Sequence, residues 1–110
     1  MDFNHSQKIS IMRVLLDIIY ADSRVDYRET QLFEDLLIKL NLCKDDAKLI
    51  DKKSAILSLT DIKDFNEQQK CFFASLMDKM IKIDNDIDEN EIAIYNIVFD
   101  YCKIPLPFTE

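Results

Sequence analysis

The sequence predicts an all-α fold, a compact bundle of five or more helices, and three observations predict it. Apolar residues recur at i, i+3, i+4 and i+7 through nearly the whole chain. No strict apolar–polar alternation runs long enough to compete as a strand. The 110 residues contain no Gly. Tight hairpin turns of the primed types lean on Gly, as do phosphate-cradling loops and the dinucleotide fingerprint. Gly-dependent β folds and those nucleotide-binding devices are therefore disfavoured.

The elements follow in order. Ile9, Met12, Leu15, Leu16 and Ile19 predict a first helix over 5–21. Leu32, Phe33, Leu36, Leu37 and Leu40 predict a second over 27–41. A more polar third helix is expected over 45–58, with Leu49, Ile50, Ile56 and Leu57 inward and Lys44, Lys48 and Lys52 outward. Residues 60–65 read as a connector or short turn. Asn66 and Gln69 form a capping-box pattern opening a long helix over 67–83, with Phe72, Phe73, Leu76, Met80 and Ile83 on one side. A last helix over 89–102 carries Ile94, Ile97, Val98, Tyr101 and Cys102, and Pro105 and Pro107 stop it. The length suits one domain, 1–110, burying roughly two-thirds of its unfolded surface.

An internal repeat is the most informative feature. Residues 21–29, Ala-Asp-Ser-Arg-Val-Asp-Tyr-Arg-Glu, match residues 83–91, Ile-Asp-Asn-Asp-Ile-Asp-Glu-Asn-Glu, at a spacing of 62. Asp22 pairs with Asp84, Val25 with Ile87, Asp26 with Asp88 and Glu29 with Glu91. Downstream, Leu32 pairs with Ile94, Leu36 with Val98 and Leu42 with Ile104. A helix–acidic loop–helix unit thus occurs twice, over about 10–42 and 72–104, and predicts a pseudo-two-fold bundle.

Each loop has a local logic. Asp26 and Asp88 stand three residues before Glu29 and Glu91, a capping-box arrangement worth about 1 kcal/mol per helix. Ile87 and Ile92 suit a hydrophobic staple, and Val25 with Thr30 a weaker one. Capping does not account for Asp22, Asp84 and Asp86. Five of the eight residues from Asp84 to Glu91 are acidic, and their repulsion is relieved by water or a cation. Asp84, Asp86 and Asp88 match the first three EF-hand ligands, but Glu89 replaces the required Gly and Tyr95 the closing Glu. A true EF-hand is rejected. A looser, weak site for Ca or Mg remains, formed by Asp84, Asp86, Asp88 and Glu91, with Asp22 and Glu29 as counterparts in the first copy.

Ala-Asp-x-x-Val-Asp-x-x-Glu after an apolar helix, with a second copy near the C-terminus, resembles the tellurite-resistance TerB-like family. That family includes the N-terminal region of a membrane-anchored DnaJ-type co-chaperone. The resemblance covers about residues 10–104. It implies a duplicated helical bundle with acidic junctions, metal binding, and action through protein partners in stress-response assemblies. By resemblance Asp22 and Glu29, and Asp84 and Glu91, take the family's acidic positions. Ser23 and Asn85 stand where the family usually has Gly, and Arg24 and Arg28 bring positive charge into the first copy.

Composition narrows function further. A net charge of −7 opposes phosphate backbones and anionic headgroups, so neither nucleic acid nor a membrane is an expected partner. Asp45, Asp46 and Asp51 interleave with the lysines of 44–53, which reads as a solvated ion-paired face. Cys43, Cys71 and Cys102 form no Cys-x-x-Cys and are expected as buried free thiols in a reducing cytoplasm. The lone His5 sits at a terminus expected to fray, and no Glu-x-x-His of a di-metal bundle occurs. The N-terminus shows no leader pattern, and the most apolar segment is too short to span a bilayer. The reading is a cytoplasmic, non-enzymatic interaction module, without catalytic residues or a firm cofactor, that binds a protein partner. Alternatives are a helical metalloenzyme or a structural oligomerisation domain. Apolar Leu106 and Phe108 on the tail suit either fold-back or a homodimer.

Overall fold

The computed structural model describes residues 3–21, 27–83 and 89–103. Those residues form six helices: α1 (His5–Ile19), α2 (Tyr27–Lys39), α3 (Lys44–Lys52), α4 (Ala55–Lys63), α5 (Glu67–Lys82) and α6 (Glu89–Cys102). The fold is an all-helical bundle, and among the described residues there is no strand. Its radius of gyration, 12.9 Å, is close to the ~13 Å expected of a compact chain this long. Among the described residues no helix is long and apolar enough to cross a membrane.

α1 is the axis of the bundle and packs against each of the other helices. That explains its apolar content: Ile9, Ile11, Met12, Val14, Leu15, Ile18 and Ile19 are all buried, a wider surface than one amphipathic stripe. Asn4 caps it. The Asn4 side chain accepts from the Gln7 N–H at 2.8 Å, and Gln7 Oε1 accepts from the Asn4 N–H at 2.9 Å. Asn66 and Gln69 close the same box on α5, at 2.8 and 3.1 Å, as their sequence spacing predicts.

The two capping boxes are part of a repeat that the helix boundaries follow. α1 and α5 open at 5 and 67, α2 and α6 at 27 and 89, both at the spacing of 62. The chain turns left-handed at Asn41 (φ 60°) and again at Lys103 (φ 55°). Behind Asn41, the Leu42 N–H donates to the Leu37 carbonyl at 2.8 Å and the Asn41 N–H to the Ile38 carbonyl at 3.0 Å. This is a Schellman closure, with Asn in the position Gly usually takes. Phe3 and Phe65, the residues ahead of the two caps, meet ring to ring at 5.4 Å. Contact between equivalent positions is what a two-fold relation produces.

α3 and α4 lie between the two hairpins and depart from the sequence expectation. The helix expected over 45–58 breaks at Lys53, whose backbone is extended (φ −68°, ψ 139°). Ser54 then caps a new helix, accepting from the Ile56 and Leu57 N–H groups at 3.2 and 3.3 Å. Four of the six residues of the expected connector, 60–63, are the last turn of α4. On α3, Ile50 is buried and Leu49 exposed; the break then resets the helical phase, so Ile56 and Leu57 are exposed and Ser58 and Ile62 face inward instead. On α6, Ile97 and Tyr101 are exposed as well, because the apolar residues that helix turns fully into the core are Val98, Phe99 and Cys102.

Candidate functional site

The two acidic junctions were the sequence's candidate site. Asp22, Asp84, Asp86 and Asp88 lie outside the described residues, as do the staple residues Val25 and Ile87. Glu29 and Glu91 are described. Each stands in the first turn of its helix, and each is only 2% exposed. A carboxylate there faces the positive end of the helix dipole, which favours its charge. Burial of both repeat-related glutamates is the junctions' distinctive feature. Among the described residues no group of three or more His, Cys, Asp or Glu side chains could hold a metal ion.

A groove of about 470 Å³ opens between α1, α4 and α6. α1 contributes Val14 and Asp17, and Tyr20 and Ala21 follow at its end; α4 contributes Ala55 and Leu59, and α6 contributes Ile94, Ile97 and Val98. The volume falls within the ~300–1,000 Å³ of typical binding clefts. Its lining is apolar apart from Asp17. That carboxyl sits 3.2 Å from Arg13 on the preceding turn. Burial raises its pKa, and the Arg13 guanidinium opposes the rise. Arg13 also donates to the Asp51 carbonyl at 2.7 Å, tying α1 to the end of α3.

A second polar cluster was not visible in the sequence. Lys53 Nζ donates to Ser10 Oγ and to Asp61 Oδ2, both at 2.7 Å, and the Ser10 hydroxyl donates to the same carboxylate oxygen at 2.7 Å. Burial works against the Asp61 carboxylate, but bonds from Lys53, Ser10 and Ser6 outweigh it and hold its pKa below the usual range. A Ser beside a Lys is one arrangement of nucleophile and base. Ser10 is completely buried, however, and its hydroxyl is committed to Asp61. The cluster acts as a brace joining α1 to α4 across the Lys53 break.

His5 is likewise anchored, not frayed. Its Nε2 lies 2.7 Å from Asp46 Oδ1, while Asp46 Oδ2 accepts from the Cys43 N–H at 2.9 Å. The Cys43 backbone bond first, and His5 second, lower the Asp46 pKa. The thiols divide: Cys102 is buried as expected, Cys71 is half-buried and Cys43 is exposed. Burial pushes the Cys102 thiol up to about 11.

No family model and no curated protein matches the sequence. Among solved structures, the chain is similar to the crystal structure of a protein of unknown function, PG1108, from Porphyromonas gingivalis W83. The TM-score is 0.75 at 22% identity, over 96% of this chain and 88% of that one. The likeness is one of fold.

Proposed function

We propose that this chain is a non-enzymatic, acidic helical interaction module of the TerB-like type, acting through a protein partner in a stress-response assembly. In this reading the junctions also hold a divalent cation, Ca or Mg, weakly, through Asp84, Asp86, Asp88 and Glu91 and their counterparts Asp22 and Glu29. The observation that carries the reading is the apolar groove between α1, α4 and α6, edged by Tyr20 and Ile97, which are 63% and 60% exposed. Exposed aromatic and branched side chains around a concave apolar surface are the usual signature of a protein contact. The complete burial of Ser10 in the Ser10–Lys53 pair supports a non-catalytic role, because a nucleophile must be reached by its substrate.

Two measurements test it. Affinity capture from native lysate is run with the wild-type chain and with Ile97→Asp. A partner retained by the first and lost by the second is expected; recovery of nothing by either defeats the interaction reading. Residue-resolved NMR during titration with millimolar calcium or magnesium is expected to shift signals at 84–91 and 22–29. Unmoved signals would leave those acids to helix capping alone.

A further inference from the structure

We propose that the groove between α1, α4 and α6 receives a basic amphipathic helix of a partner protein, its apolar side against Leu59 and Ile97 and a Lys or Arg against Asp17. This rests on the interaction-module reading and names the partner's chemistry. The repeat itself shows which groove residues the fold does not require. Ile94 and Val98 correspond to Leu32 and Leu36, so apolar character at those positions is common to both copies. Ile97 and Tyr20 correspond instead to Asp35 and Lys82, both exposed and charged. The duplicated unit folds with charges at these two positions. Their apolar character on the groove side therefore serves something other than helix packing.

Charge selects among occupants. The chain carries −7, and among the described residues the groove's one charged lining side chain is Asp17, whose Oδ1 Arg13 holds at 3.2 Å. A second copy would bring another −7 to the same surface and be repelled. The segment 104–110 contains no cation to meet Asp17; its only charged side chain is Glu110. A helix with lysines or arginines beside its apolar stripe satisfies both features. From Val14 to Ala21 the wall runs eight residues, the first six of them in α1, over about 10 Å. That length suits partner anchors at i, i+3, i+4 and i+7.

The probes are fluorescein-labelled synthetic helical peptides with Leu at i, i+3, i+4 and i+7. In one peptide the flanking positions are Lys and Arg, in a second Glu, and in a third the basic residues are kept but the order is scrambled. Fluorescence anisotropy with the full chain reads binding. The basic amphipathic peptide is expected to bind at least tenfold tighter than the acidic and scrambled ones. Ile97→Asp is expected to weaken it at least tenfold, and the variant should fold, since it restores the residue type of the other copy. Asp17→Asn is expected to weaken the basic peptide about fivefold and leave the acidic one unchanged. Equal binding of all three peptides, or indifference to Ile97→Asp, overturns the proposal. So does a tenfold gain on removing 104–110, which would make the tail the occupant, or a dimer in sedimentation that Ile97→Asp dissolves. A lysate partner captured equally by wild type and Ile97→Asp would sink this site while the interaction-module reading stands.

Discussion

Lys53→Met tests the brace that breaks the middle of the chain into α3 and α4. Met keeps the apolar stem and removes the ammonium. The short charge-assisted bonds to Ser10 Oγ and Asp61 Oδ2, each 2.7 Å, are lost together with longer ones to Ser6 O and Oγ at 3.3 and 3.2 Å. Such bonds contribute about 1.5–3 kcal/mol when well shielded. The Lys53 side chain is 18% exposed, but that of Asp61 is 37% exposed and its carboxylate can recover water. Solvent screening reduces the sum, leaving a loss of about 1–2 kcal/mol at neutral pH. For a chain this size that is a Tm drop of roughly 4–8 °C. The dependence on pH is the sharper readout. The folded Asp61 pKa lies below its ordinary value, so its contribution is present above about pH 4 and is lost as pH falls through the folded value. Without Lys53 that depression is largely removed. Urea melts from pH 7 to pH 3 should show the wild-type advantage shrinking below about pH 4. A gap that stays constant over that range, or no gap at pH 7, would refute the reasoning.

Three further outcomes are expected. Asn4→Ala and Asn66→Ala should each cost about 1 kcal/mol, read by denaturant melts, because each removes an equivalent cap; a loss confined to one would contradict the repeat. Lys103→Gly should raise stability by about 0.5–1 kcal/mol in the same assay, since a left-handed φ of 55° costs a side-chain-bearing residue more than Gly; a decrease would show that this geometry is not held. Maleimide should label exposed Cys43 in the native chain and Cys102 only on unfolding, monitored by mass spectrometry; fast native labelling of Cys102 would contradict its burial against the Leu59 carbonyl.

Much of the fold was legible in the residues because the signals are local. Apolar spacing located α1, α2, α5 and α6, and Asn66 with Gln69 marked a helix start. The same Asn-x-x-Gln spacing at Asn4 and Gln7 marks the start of α1, close to the chain's N-terminus. The break at Lys53 was not legible, since no Pro or Gly marks it; it is held by partners on α1 and α4 that lie 43 and 8 residues away. The thiols show the same limit: free Cys is a habitually buried residue type, yet Cys43 at the N-cap of α3 is exposed while Cys102 is buried.

The sequence by itself determined the helical class, the repeat of 62 residues and the glutamates in the first turns of α2 and α6, because helical periodicity acts within a few residues of chain. Only tertiary structure decided that α1 runs through the centre, that Glu29 and Glu91 are both buried, and that Ile97 and Tyr20 edge a groove. Those outcomes depend on which helix faces cover one another, and an apolar side chain carries no mark of whether a neighbour will reach it.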